Sequence, residues 1–139
     1  GPAATLLRKL LVRQPDIEIY LREEHLDALT AWLDQQIGQL QLQPWREAVR
    51  RGTLSAGEHQ IPLMIVRKAA GKWASVWFDS AHTPWETDMD CARAVHQGLN
   101  EEVRCSVGGW SEEEDDPDAD RWIKINASGE VEFTWKIKV

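Results

Sequence analysis

The chain has 139 residues, 42% hydrophobic and 28% charged, with a formal net charge of −7. That length suits one domain with its own core. The sequence contains no apolar run of about 18 residues that would read as a membrane helix, and its Lys and Arg are too scattered for direct binding of a nucleic-acid backbone.

Residues 4–12 place Leu6, Leu7, Leu10 and Leu11 on one helical stripe. Arg8 and Lys9 break this apolar stretch, so it does not read as a signal peptide, and the expected compartment is the cytoplasm. A stripe at a chain end has to be buried somewhere, and a homodimer seam between N-terminal helices is one solution. From Ile17 to Leu40, the residues Leu26, Leu29, Trp32, Leu33, Ile37 and Leu40 recur at steps of three and four, which predicts a helix. Its beginning is ambiguous, because Ile17, Ile19 and Leu21 alternate as in a strand. Pro44 and Gly52 bracket a predicted short helix with Trp45, Ala48 and Val49 on one face and Arg46, Arg50 and Arg51 on the other. Residues 1–52 therefore read as an N-terminal helical section, within the same domain or as a lid, ahead of an α+β core over 53–139.

The period then changes. Ile61–Val66 reads as a strand covered on both faces, with Pro62 near an edge or a strand start. The run 68–72 supplies a turn, and Trp73–Asp79 returns as the second arm of a hairpin. Thr83-Pro84-Trp85-Glu86 has the form of a capping box that opens a helix. Met89, Ala92, Val95, His96 and Leu99 form its stripe, and Gly98 and Asn100 its end. Val103–Val107 is a short strand. Trp122–Asn126 and Val131–Lys138 form a second hairpin, with Val131, Phe133, Trp135 and Ile137 on one face. The fold class expected is α+β with two layers: a mostly antiparallel sheet in the order ββαβββ, one packed helix, and the N-terminal helical section.

Three features bear on function. The chain carries eight Trp against two Phe and one Tyr, and Trp combines apolar bulk with an N–H that needs a partner. Alternation puts Trp73 and Trp77 on the polar side of their strand and Trp122 on the polar side of its own, opposite the apolar sets. These three are the predicted anchors of a binding face, unless the N-terminal helices cover them. Second, residues 79–120 hold thirteen acidic and two basic side chains, and the densest part is the tract Glu112, Glu113, Glu114, Asp115, Asp116, Asp118 and Asp120 beside Trp110. Such a tract attracts a basic partner or stays solvated. Its Asp116-x-Asp118-x-Asp120 rhythm departs from a calcium loop, with Arg121 where Gly is required and Ala127 where Glu is required. Third, the loop from Asp79 through His82 and Trp85 to Asp88 joins a strand end to a helix start, a frequent seat of function.

Catalytic and metal signatures are missing. His82, Cys91 and His96 fit no zinc spacing, and none of the standard nucleophile or phosphate-loop motifs occurs. No carboxylate lies in an apolar run that would raise its pKa for acid–base work. No cofactor or metal is therefore expected, and the balance leans away from an enzyme. The function that fits is a small acidic protein-interaction module, of accessory, regulatory or immunity type, engaging a partner with a basic surface through the acidic loop and the Trp face. The alternatives are a binder of a sugar or nucleotide-like ring on a Trp platform, and an enzyme with a loop-borne site near His82.

Overall fold

The computed structural model describes residues 13–107 and 119–137. Its centre is an eight-stranded antiparallel sheet: β1 (Ile17–Arg22), β2 (Gln39–Leu42), β3 (Val49–Ala56), β4 (His59–Ala70), β5 (Trp73–Phe78), β6 (Val103–Ser106), β7 (Arg121–Asn126) and β8 (Gly129–Thr134). The spatial order is β2-β3-β4-β5-β1-β6-β7-β8. The first strand thus lies between two meanders, with Ile17 opposite Phe78 on one side and Leu21 opposite Val103 on the other. The chain is mostly antiparallel α+β, as expected, but its element order differs from ββαβββ.

Two helical crossovers make this topology possible. The first is helix α1 (Leu26–Trp32), extended by a 3₁₀ turn before it and a π turn over Leu33–Ile37, and it carries the chain from β1 to the far edge at β2. The second, helix α2 (Asp88–Leu99), returns the chain from β5 across β1 to β6. Both pack on the same face: Leu26, Leu29 and Leu33 share one buried cluster with Cys91, Ala92 and Val95 and with the inward residues Ile17, Ile19, Leu21, Val76 and Phe78. Each fully buried aliphatic side chain of this cluster contributes about 1.5–3 kcal/mol.

Several sequence expectations are corrected. The alternation of Ile17, Ile19 and Leu21 is a strand, and all three are fully buried. The predicted helix to Leu40 stops at Ile37; Gly38 is extended and Leu40 lies in β2. The segment between Pro44 and Gly52 is not helical: Arg46 and Val49 exchange backbone hydrogen bonds across a tight turn, and Val49 opens β3. Residues 17–52 therefore supply β1, β2 and part of β3 as well as helix. Strand pairing overrode the local helical pattern there: β2 and β3 pair with each other and β3 with the following β4, while β1 pairs with the distant β5 and β6.

Nor does α2 begin at Thr83. The Thr83 hydroxyl closes a turn onto Trp85, donating to its carbonyl at 2.7 Å, and Trp85 is buried against Phe78 and Trp32. The actual cap is Thr87, whose hydroxyl accepts the Asp90 N–H. Asp88 and Asp90 then complement the positive end of the helix. At the other end Asn100, in the left-handed region, closes α2 as expected. Strand β8 ends at Thr134, short of the expected Lys138; Phe133, Trp135 and Ile137 are half-buried and alternate with exposed Glu132, Thr134 and Lys136, while Val131 of the same set is 46% exposed. Cys91 and Cys105 are free and buried. Among the described residues no helix is long and apolar enough to cross a membrane.

Candidate binding face

Because both helices cross the same side, the opposite side of the sheet carries no helix among the described residues. Strand alternation decides what it presents. Pairing places Glu18, Tyr20 and Arg22 of β1 beside Trp77, Ser75 and Trp73 of β5. Tyr20 pairs with Arg104 of β6, which pairs with Lys124 of β7, and Ser106 pairs with Trp122. Trp73, Trp77 and Trp122 therefore lie on one face, as their alternation implied, although β5 and β7 are separated by β1 and β6.

The face has two halves of opposite character. In one, Trp135, which directly follows β8, lies 5.6 Å from Trp73, 5.1 Å from Trp122 and 5.6 Å from Tyr20, ring centre to ring centre. The rings meet at steep angles, 73–75° in these three pairs. This is edge-to-face aromatic packing. The guanidinium of Arg104 sits inside the cluster, 3.8 Å from the centre of Trp73, 4.6 Å from Trp135 and 4.8 Å from Phe133. Its Nε donates to Glu102 at 2.9 Å. Although burial opposes ionisation of Glu102, hydrogen bonds from Asn126 and Arg104 hold its carboxyl below the usual range. Trp73 and Trp122 are thereby buried to 7% and 8% exposure. A flat stacking platform, the premise of the ring-binding alternative, is not the arrangement these two rings adopt.

The other half is an open hollow of about 890 Å³. Its apolar wall is Met64, Val66, Trp77 and Trp122, and its polar side is Asp16, Glu18, Tyr20, Ser75 and Asp88, with Gln14 and Pro15 at the rim. Here Trp77 is only half-buried, and its Nε1–H donates to Asp16 at 2.6 Å. Ser75 donates to Glu18 at 2.7 Å. Asp88 reaches over from the first turn of α2 and accepts the Glu18 backbone N–H at 2.8 Å and the Gln14 side-chain amide at 3.2 Å. Three carboxylates from two distant parts of the chain thus gather at one margin of the hollow.

Their environment makes ionisation costly. Burial pushes the Asp88 carboxyl up to about 6, against hydrogen bonds from Glu18 and Gln14 that favour its charge, with the Glu18 and Asp16 charges adding to the rise. Burial also raises Glu18, and the nearby Asp16 adds to it. The phenol of Tyr20 is pushed up to about 12 by burial and then by Glu18. The expectation that no carboxylate is perturbed is therefore corrected. A positive charge placed in the hollow would relieve this mutual repulsion. Among the described residues no group of three or more His, Cys, Asp or Glu side chains is arranged to hold a metal ion.

Of the sequence-predicted residues, Trp110 and Glu112, Glu113, Glu114, Asp115, Asp116 and Asp118 lie outside the described residues, as does the Leu stripe over 6–11. Asp120 is exposed, and its carbonyl accepts the Trp135 N–H. The loop residues do not converge: Asp79 is exposed, His82 stacks on His59 at 4.4 Å, Trp85 is core, and Asp88 alone faces the hollow. Sequence reasoning passed over Asp16, Glu18, Tyr20, Ser75 and Arg104. Reading Ile17–Leu21 as a strand would have found two of them, since alternation then puts Glu18 and Tyr20 together on the outer face.

Neither the family models, nor the curated proteins, nor the solved structures with which the chain was compared include a match.

Proposed function

We propose that the protein is an interaction module that receives a basic, partly apolar segment of a partner protein on the face of its sheet that carries no helix among the described residues. One observation carries this reading: Asp16, Glu18 and Asp88 meet beside the half-exposed Trp77, at the edge of a hollow walled by Met64, Val66 and Trp122. A Lys or Arg side chain suits such a place, because its stem covers apolar surface while its head meets carboxylates. Trp77 serves as the anchor. Trp73 and Trp122, packed by Trp135 and Arg104, supply rigidity behind it. The acidic tract Glu112–Asp120 adds long-range attraction, which raises association rate more than affinity. A reducing compartment such as the cytoplasm suits the two free, buried thiols.

The test is a titration with a Leu–Lys peptide and with a Leu–Glu peptide of equal length, followed by Trp emission. The basic peptide is expected to shift the emission, with affinity falling as salt rises. Replacing Asp16→Asn together with Glu18→Gln is expected to weaken it roughly tenfold or more. Equal binding of the acidic peptide, or salt-independent binding, refutes the proposal.

A second reading, a small cationic ligand in the same hollow, draws support from its volume: 890 Å³ lies within the range of about 300–1,000 Å³ typical of small-molecule sites. Displacement of the bound peptide by a short aliphatic diamine at low concentration would favour it.

A further inference from the structure

We infer that the outer edge of β8 takes up an added strand from a partner protein, one that alternates basic and apolar residues. The sheet ends in β2 on one side and β8 on the other. An edge strand presents a row of N–H and C=O groups that a further strand can pair with. The two edges differ. β2 has only four residues. Its Gln43 neighbour donates inward to Arg51, so alternation turns the Leu40 N–H outward, where the Asp34 carboxylate accepts it at 2.9 Å. Asp34 thus closes the β2 edge at that position. β8 has six residues, and Trp135 prolongs its ladder by donating to the Asp120 carbonyl at 2.8 Å. With Trp135 turned inward, alternation turns the N–H and C=O groups of Glu130, Glu132 and Thr134 outward. Among the described residues nothing bonds to these outward groups.

The side chains of β8 define what the added strand carries. Glu130 and Glu132 project on the helix side, steadied by Arg93 and Arg121, yet their side chains stay 41% and 55% exposed. Arg93 holds the Glu130 carboxyl below its usual range, so it is ionised. On the other side stand the exposed Val131 and the half-buried Phe133, which packs on Trp135. A strand laid along this edge meets carboxylates with every second side chain and apolar surface with those between. A second copy of the chain does not satisfy that pattern. In a two-fold pairing of β8 with itself, Glu132 faces Glu132 or Glu130 faces Glu132, and like charges directly opposite are destabilising. Lys or Arg at the same positions makes the contact attractive, while the backbone groups supply affinity whatever the sequence. No β8 residue lines the hollow, so this surface is separate from it.

The experiment is amide hydrogen exchange on the ¹⁵N-labelled protein with a peptide that alternates Lys and Val and is as long as β8. It is run on the wild type and on the Asp16→Asn, Glu18→Gln protein, so that loss of the hollow and loss of the edge are read separately. Without peptide, the amides of Glu130, Glu132 and Thr134 are expected to exchange fast, and those of Val131 and Phe133 slowly. In both proteins the peptide is expected to slow the three outward amides roughly tenfold once it stands about ten times above its Kd. The same peptide methylated on its Lys backbone nitrogens keeps its side chains and loses the N–H groups that face β8; it is expected to protect nothing. A Glu–Val peptide is expected to bind roughly tenfold more weakly or worse. Glu132→Pro removes an outward N–H that the sheet itself does not use, and is expected to abolish protection of Glu130 and Thr134 while Val131 and Phe133 stay slow. Fast exchange of the outward amides in excess peptide overturns the inference. So does equal protection by the methylated or the Glu–Val peptide. Protection that rises with protein concentration alone overturns it as well, because the added strand is then a second copy.

Discussion

Asp88 offers the sharpest test of the electrostatics assigned to the hollow. It is 8% exposed, and burial lifts its carboxyl from an ordinary 3.8 to about 6. A folded-state pKa above the unfolded one means that the native protein holds the proton more tightly. Stability attributable to this group is fully present below about pH 4 and is lost as pH rises through about 6. At about 1.4 kcal/mol per pH unit, the ionised Asp88 costs the fold up to about 3 kcal/mol at pH 7. Asp88→Asn removes the titration while keeping an oxygen to accept the Glu18 N–H. It also loses the bond from the Gln14 amide, a fixed penalty of about 1 kcal/mol that does not vary with pH. Urea denaturation of both proteins at half-unit intervals from pH 4 to 7.5 isolates the group, since the remaining carboxylates cancel in the difference to first approximation. The variant is expected to gain on the wild type by about 2–3 kcal/mol between pH 4 and 7. A difference that stays flat with pH would show that Asp88 ionises freely, and the strain assigned to the carboxylate margin would be wrong.

Two further predictions concern the scaffold. Gly38→Ala is expected to destabilise by about 1–3 kcal/mol, because an added Cβ would lie 2.2 Å from the Ser55 carbonyl oxygen, and the backbone of β2 has to move off β3; an unchanged urea midpoint would count against the close approach. Arg93→Ala removes an exposed fork onto Glu130, with bonds of 2.7 and 2.9 Å, and is expected to cost at most about 1 kcal/mol. Carboxyl NMR should then show the Glu130 pKa, held down by Arg93, returning toward its ordinary value.

Much of the sheet was legible where signals are local. Trp73–Phe78, Val103–Ser106 and Arg121–Asn126 are strands within a residue or two of their sequence reading, because alternation specifies both an extended backbone and its two faces. That alternation also placed Trp73, Trp77 and Trp122 on the polar side before any neighbour was known. The body of α2 followed from its stripe, and its end from Asn100. The start of α2 was misplaced because two Thr residues, Thr83 and Thr87, both precede acidic residues at capping distance, and local sequence does not say which caps the helix and which closes the turn onto the buried Trp85.

By itself, then, the sequence determined the apolar and polar faces of most strands, the acidic balance of the chain and the α+β class, since each is a property of neighbouring residues. The tertiary structure decided which strands are neighbours. Ile17 meets Phe78 across 61 positions of sequence, and nothing local encodes that pairing. With β1 at the centre, both crossovers cover one face and leave the other to the aromatic cluster and the hollow. The same pairing brings Asp16 to Trp77 and Glu18 to Asp88, and a carboxyl pKa depends on burial and neighbouring charge, which exist only once those distant segments are in contact.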